Sequence, residues 1–395
     1  MNFSHRTNWH RGHNRLTEAA ELRRKSGKPI YDLTISNPTE CGFTYPDDDI
    51  LRAISDRTSL RYEPDPRGLQ SARECVSRFY AERHAKVPTS NIFLTASTSE
   101  AYSLIFKLLC DPGNSVLVPT PSYPLFDYLA QANDVVLQTY RLFHDHGWHI
   151  DLASLRNAIS PSSRAIVLIS PHNPTGMFLK KADHEEIRTI ALENDLALVV
   201  DEVFGEYGFD DDMNRVRTTA GSHDGLTFTL NGVSKLCGLP QMKLGWIVLS
   251  GERKMVQEAG ERLEILSDTF LSANTPSQTG LSGLLSSGSD VRSQILARIS
   301  GNYKTIQKSL ADSPCSLLAS EGGWYGILKV PRMISDEQWV VELLENCGVY
   351  VFPGYFFDFQ DEGSLVLSLL PKHDIFDHAL KLLLAHVEAA CFPGS

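Results

Sequence analysis

Apolar residues fall along the chain in two patterns, short unbroken runs and longer stretches with helical spacing. The short runs are rich in β-branched residues: Asn91–Ala96, Ser115–Pro119, Val135–Tyr140, Ala165–Ser170, Leu196–Asp201, Leu226–Asn231 and Leu244–Ser250. Several are apolar throughout, which suits strands covered on both faces. Between them, Ser99–Cys110, Leu152–Ile159 and Lys181–Glu193 carry the helical period. This alternation predicts an α/β domain with seven strands in a mostly parallel sheet.

After about Asn274 the pattern changes. A long helix is predicted from near Thr275 to Ser309, loosened around Ser286–Ser289. Short strands follow near Tyr325–Val330, Val349–Phe352 and Leu365–Leu369, then a last helix from Ile375 to Ala389. Near the start, Ile30–Ile35 also reads as a strand. A second, smaller α/β domain built from both chain ends is expected. No internal repeat or low-complexity segment interrupts this organisation.

Composition narrows the function. The 395 residues include 37 Lys and Arg against 48 Asp and Glu, a net charge of −11. That balance argues against a nucleic-acid partner, which needs a basic footprint. It leaves an anionic cofactor open, because local charge decides that. The seven cysteines (Cys41, Cys75, Cys110, Cys237, Cys315, Cys347 and Cys391) are odd in number, scattered and free of CxxC pairs. Reduced thiols and a cytoplasmic setting are expected. Met1–Lys28 lacks the apolar centre of a signal peptide, and no apolar stretch has bilayer length. Neither a membrane nor a nucleic-acid partner is expected.

In an open α/β sheet, ligands bind beyond the carboxyl ends of the strands. The run Leu196–Val200 ends in Asp201 and Glu202. A carboxylate there needs a partner, because a lone buried charge is costly. Lys235 follows the strand Leu226–Asn231 and reaches the same end of the sheet. Taken singly, Asp201 reads as a cap or structural ion pair and Lys235 as a solvated surface residue. Pro171–Gly176 reads as a turn, and Thr95–Ala101, between strand and helix, as plain N-capping or an anion site.

In combination these segments are specific. Thr95–Ala101, Pro119–Tyr123, Asn173–Gly176, Asp201–Glu202 and Ser234-Lys235 with Lys243-Leu244-Gly245, in this order, resemble the aspartate aminotransferase superfamily of fold type I pyridoxal 5′-phosphate (PLP) enzymes, in its class I/II aminotransferase branch. The resemblance runs from about Asp32 to Leu370. It implies residues 1–44 as the first segment of the small domain, 45–280 as the large PLP-binding domain, and 281–395 as an interdomain helix with the rest of the small domain. It implies Lys235 as the Schiff-base lysine and proton carrier, and Asp201 as the partner of the pyridinium nitrogen. By the same resemblance Asn173 donates to the ring hydroxyl oxygen and Tyr123 stacks on the ring. Ser97, Thr98, Ser99, Ser234 and Lys243 surround the phosphate. Tyr62 matches a tyrosine that reaches the phosphate of the neighbouring subunit, which implies a homodimer with shared sites.

Three positions depart from the family pattern. Phe204 stands where the family usually has a tyrosine that donates to the ring oxygen. Lys243 replaces an arginine and brings a point charge without the planar fork. Val366 stands where an arginine grips the substrate α-carboxylate. The resulting expectation is an aminotransferase acting on an amino acid or amine with atypical carboxylate recognition. Two explanations fit Val366: a donor without an adjacent carboxylate, or another cation, which the N-terminal run His5, Arg6, His10, Arg11 and Arg15 can supply by folding over the site. Alternatives are a PLP lyase, replacement or cyclising enzyme on the same fold, and a PLP-binding protein without turnover. His144, His146 and His149 are expected in a surface loop, with no metal site. Neither GxGxxG nor GxxxxGK[ST] occurs.

Overall fold

The computed structural model describes residues 1–9, 15–311 and 313–392. Its centre is an eight-stranded sheet in the order Ile92–Thr95, Gly245–Gly251, Leu226–Gly232, Ala197–Asp201, Ser163–Ile169, Ser115–Thr120, Val136–His144 and Trp148–Ile150. The four strands from Leu226–Gly232 to Ser115–Thr120, together with Val136–His144, are parallel neighbours. Strand Gly245–Gly251 runs antiparallel to both of its neighbours. Ile92–Thr95 therefore points the same way as the parallel set.

Side chains alternate across this sheet, and both sets are buried. Val116, Val118, Ala165, Val167 and Val199 pack on one face. Leu117, Ile166, Leu168, Leu198 and Val200 pack on the other. Both faces are covered, which is why these strands carry unbroken apolar runs.

The expectation of seven strands needs a correction. The connection after Tyr140 is no surface loop. It extends the strand to His144, turns through Asp145 and His146, and returns as Trp148–Ile150, with Leu142 opposite Ile150 and His144 opposite Trp148. The return strand buries Trp148 and Ile150 and exposes His149. Two apolar residues around one polar one are too few to stand out as a period.

Beyond the sheet, the predicted long helix is also redrawn. Asn274 caps a separate short helix, Thr275–Thr279, and the long helix runs Leu281–Ser309. The Ser286–Ser289 stretch stays helical, since the Ser289 hydroxyl donates to Ser286 O at 2.8 Å. Local hydroxyl bonds of this kind let serine sit inside a helix.

A four-stranded antiparallel sheet (Ser316–Leu318, Tyr325–Lys329, Ser364–Ser368 and Phe352–Pro353) follows. The expected strand at Ile30–Ile35 shortens to Tyr31–Asp32, which pairs in parallel with Val349–Tyr350 and so joins the two chain ends. Helix His373–Cys391 packs on Leu281–Ser309. No helix among the described residues is long and apolar enough to cross a membrane.

Candidate active site

The carboxyl ends of the parallel strands open into a cleft of about 280 Å³. Asp201 closes the central strand, where it is 8% exposed. Its carboxylate accepts from the Val203 N–H at 3.0 Å and the Tyr102 hydroxyl at 3.2 Å. Burial pushes the carboxyl up to about 6, and these two bonds and the Lys235 charge draw it back.

The neighbouring strand, Leu226–Gly232, leads directly into the short helix Val233–Leu236, which carries Lys235. The Tyr207 hydroxyl donates to the Lys235 carbonyl at 2.6 Å and fixes that turn. The amine lies 4.8 Å from the Trp324 ring centre and 5.7 Å from that of Phe204. Burial lowers its proton affinity below that of an ordinary lysine, and Asp201 opposes the shift. A primary amine that gives up its proton readily is available as the free amine, the form that attacks a carbonyl or accepts a proton.

At the sheet edge, Ser97 begins the helix Thr98–Leu109. Its hydroxyl oxygen accepts from the Glu100 N–H at 3.1 Å, while Glu100 accepts from the Ala96 N–H at 2.6 Å. This is a capping arrangement, with the Ser97 hydroxyl hydrogen left to donate elsewhere. The Thr98 and Ser99 amides and hydroxyls line the first turn, facing the same cleft as Ser234 and Lys243. Gly245 allows this convergence, since a Cβ there would lie 3.2 Å from the Ser97 carbonyl carbon. Helix N-terminus, hydroxyls and lysine together suit a phosphate.

The third polar feature is Asn173. Its loop is held by contacts of His172, whose Nδ1 lies 2.9 Å from Thr175 Oγ1 and whose N–H donates to Met177 O at 2.7 Å. Burial lowers His172 to about 3, so it stays neutral. The Asn173 Oδ1 is buried without a hydrogen-bond partner among the described residues. Tyr123, 41% exposed, stands at the cleft mouth.

Thus the fold gathers Ser97, Thr98, Ser99, Tyr123, Asn173, Asp201, Phe204, Ser234, Lys235 and Lys243 around one cleft. Tyr62 lies elsewhere, 77% exposed on a separate surface beside Glu63 and Pro64. Sequence reasoning missed Tyr102, Trp324, Tyr325 and Ser36. Tyr102 sits inside a helix, where its spacing reads as core. The others come from outside the large sheet.

Val366 is fully buried in Ser364–Ser368, opposite Ile327 and Phe352. The cations that line the cleft among the described residues are Lys235 and Lys243. Arg6 pairs with Asp134, and Arg15 lies 3.7 Å from Glu337. His5 is exposed. His10 and Arg11 lie outside the described residues. His144 Nε2 accepts from the Ala319 N–H at 3.0 Å, and His149 Nε2 lies 3.2 Å from Asp145 O. No group of three or more His, Cys, Asp or Glu among the described residues is placed to hold a metal ion.

PLP presents an aldehyde, a basic ring nitrogen, a ring hydroxyl and a phosphate. The cleft offers an amine of lowered proton affinity, a buried carboxylate, an unpartnered amide and an anion site. These donor types fit the cofactor.

Comparison with known proteins agrees. The family description "Aminotransferase class I and II" matches residues 29–380. The glutamate-pyruvate aminotransferase AlaA of Escherichia coli is 28% identical over 364 residues, which is 91% of this chain and 84% of that protein. The alanine aminotransferase of Mycobacterium bovis is 26% identical over 357 residues, 87% of this chain and 82% of that protein. The crystal structure of an aminotransferase from Escherichia coli has a TM-score of 0.87 at 26% identity and covers 98% of each chain. A family match over so much of the chain, on a sheet whose strand ends collect this chemistry, leads to one conclusion: the chain belongs to the class I and II aminotransferases, PLP-dependent transferases of fold type I.

Proposed function

We propose that this enzyme is an aminotransferase whose donor, an amino acid or amine, is bound without the usual carboxylate–guanidinium pair. The observation that carries this reading is Val366, apolar and fully buried, at the position where the resemblance puts the family arginine. The two cleft lysines do not replace it, because each has a separate task.

Lys235 would hold the cofactor through its aldehyde carbon and then serve as the base at the donor Cα. Asp201 would face the ring nitrogen and keep its proton. Asn173 would donate to the ring oxygen, with Tyr123 over the ring face. Ser97, Thr98, Ser99, Ser234 and Lys243 would hold the phosphate, and Tyr62 would complete the partner's phosphate site in a homodimer. When bound, the cofactor supplies an electron sink for the pair left at Cα. The negative charge of Asp201 would keep that sink effective, and the lowered proton affinity of Lys235 leaves its amine unprotonated and free to take the Cα proton. Relatives named for glutamate, pyruvate and alanine support transfer of an amino group as the reaction.

The test is a donor screen of the holoenzyme, with kcat/KM from formation of the carbonyl product. A charge-assisted bond contributes about 1.5–3 kcal/mol, so losing one costs about tenfold to a hundredfold. Aspartate and glutamate should therefore be converted at least about tenfold more slowly than the best apolar amine. Fast conversion of either acid that substitution of Arg6, Arg11 and Arg15 leaves unchanged would overturn the reading.

A further inference from the structure

Away from the cleft, three segments enclose a groove of about 680 Å³. They are the turn after helix Gln70–Ala81, the first turn of helix Lys181–Glu193, and residues 213–223. The groove wall carries five lysines and arginines and three histidines but no carboxylate. In a chain of net charge −11 such a wall is unusual.

Two of the five cations are committed. Arg83 pairs with Glu206 at 2.7 Å and Arg215 with Glu321 at 3.1 Å. Lys86, Lys181 and Arg217 form no ion pair with any described residue. They come from distant parts of the sequence, and the fold brings two of the segments together at Gly221. This glycine has φ +83°, and a Cβ on it would lie 3.2 Å from Lys86 O. Its N–H donates to Ser250 Oγ at 2.8 Å, which fixes the approach. Next to it, Ser222 Oγ is buried without a partner among the described residues. The three exposed cations share one concave wall, and such a wall concentrates a small anion.

The floor of the groove connects with the cleft. The Thr218 hydroxyl donates to Glu202 at 2.8 Å, and the Thr219 N–H and hydroxyl donate to it at 2.7 and 3.0 Å. Glu202 is buried and is the chain neighbour of Asp201. Thr218 and Thr219 thus line the groove and grip the residue beside the catalytic carboxylate.

We propose that this groove is a second ligand site, for a small phosphate-bearing molecule with two or more negative charges, and that its occupancy is felt at Asp201 through Thr218, Thr219 and Glu202. The second half rests on the reading that Asp201 serves the cofactor. The first half does not.

The test titrates the holoenzyme with inorganic tripolyphosphate at low salt. Calorimetry reports binding, and the visible absorption of the bound cofactor reports the link. Saturable binding is expected, weakened at least about tenfold by Lys181→Ala and Arg217→Ala together. In the wild type, saturation should shift the cofactor band. Thr218→Val, which leaves the two Thr219 bonds to Glu202, should reduce the shift at saturation. Absence of saturable binding, or binding indifferent to the double substitution, would overturn the site. Binding without a wild-type shift would overturn the link. A short RNA that binds this groove more tightly than tripolyphosphate would overturn the assignment to a small molecule. Heat of binding does not depend on the donor, so failure here and failure of the donor screen are separate results.

Discussion

The two walls of the cleft are built from different materials. One wall belongs to the large sheet, and its polar groups sit where strands end: Asp201 on Ala197–Asp201, Lys235 just past Leu226–Gly232, Asn173 past Ser163–Ile169. The facing wall is formed by Tyr325, with Trp324 over the Lys235 amine, and Val366 lies in the same antiparallel sheet. Among the described residues it carries no guanidinium. Strand ends locate the first set, so its chemistry is tied to the fold. Val366, between Ile327 and Phe352, packs as a core residue and leaves the strand pairing intact. On the proposed reading, one wall preserves a reaction type while the other sets what reacts.

The contrast breaks most directly at Lys235. Lys235→Ala should remove the visible band of the bound cofactor and cut turnover at least about 10⁴-fold, since both attachment and proton transfer are lost. A variant that keeps the band would show that another lysine serves. Next comes Asp201→Ala, expected to cost about 10³-fold in kcat, against about tenfold for Asn173→Ala. On the proposed roles, the first removes the ionic partner of the ring nitrogen and the second a single hydrogen bond. Equal losses would contradict the division of roles.

Asp201 also sharpens the comparison through stability. Burial pushes its carboxyl in the folded chain up to about 6, above the ordinary 3.8. Between those values the unfolded chain releases its proton while the folded chain keeps it, so rising pH weakens the cofactor-free protein across that window. Neighbouring Glu202, raised from 4.5 to about 7, acts in the same direction. Asp201→Asn should therefore stabilise the cofactor-free protein at pH 7.5 by up to about 3 kcal/mol, with little gain at pH 4. Urea unfolding at the two pH values checks this. An equal effect at both would show that burial of the charge is not the cause.

Most of the large sheet was legible because unbroken apolar runs stop at polar residues, and ten of the cleft residues were legible through the family resemblance that those segments carry in combination. What was illegible shares a physical reason. Tyr102 reaches Asp201 from inside a helix, where an aromatic residue looks like core. Trp324 approaches Lys235 from beyond residue 315, far along the chain. Lys86, Lys181 and Arg217 look like separate solvated charges until the fold draws them around one groove. The hairpin to Trp148–Ile150 is too short to show a period. Spacing along the chain reports local geometry, and each of these depends on contacts between distant segments.

A smaller effect is expected at Phe204, which packs at 5.2 Å against Trp324 and has no hydroxyl to offer the ring oxygen. Phe204→Tyr adds a donor that favours the deprotonated form of the bound cofactor. The midpoint of its spectral titration should fall by about one pH unit. An unchanged or higher midpoint would remove Phe204 from the ring-oxygen position.

The smallest effect concerns the N-terminal arginines, and it decides between the two explanations of Val366. Arg6 is tied to Asp134, and Trp9 donates to Gln131 at 2.6 Å and packs edge-on against Tyr128 at 5.3 Å. These contacts hold the segment on helix Leu125–Ala132, whose Leu125, Phe126 and Leu129 line the cleft. Arg15 faces Glu337. Exposed pairs of this kind contribute about 0.2–1 kcal/mol and are worth little to a substrate bound elsewhere. If the donor needs no cation, Arg6→Ala and Arg15→Ala should change kcat/KM by less than about threefold, for glutamate and for an apolar amine alike. If the segment instead leaves that helix and closes over the cleft, either substitution should slow glutamate about tenfold or more and spare the amine. Glutamate and amine kinetics on these variants separate the cases, and a selective loss for glutamate would hand the task of Val366's missing arginine to the N-terminus.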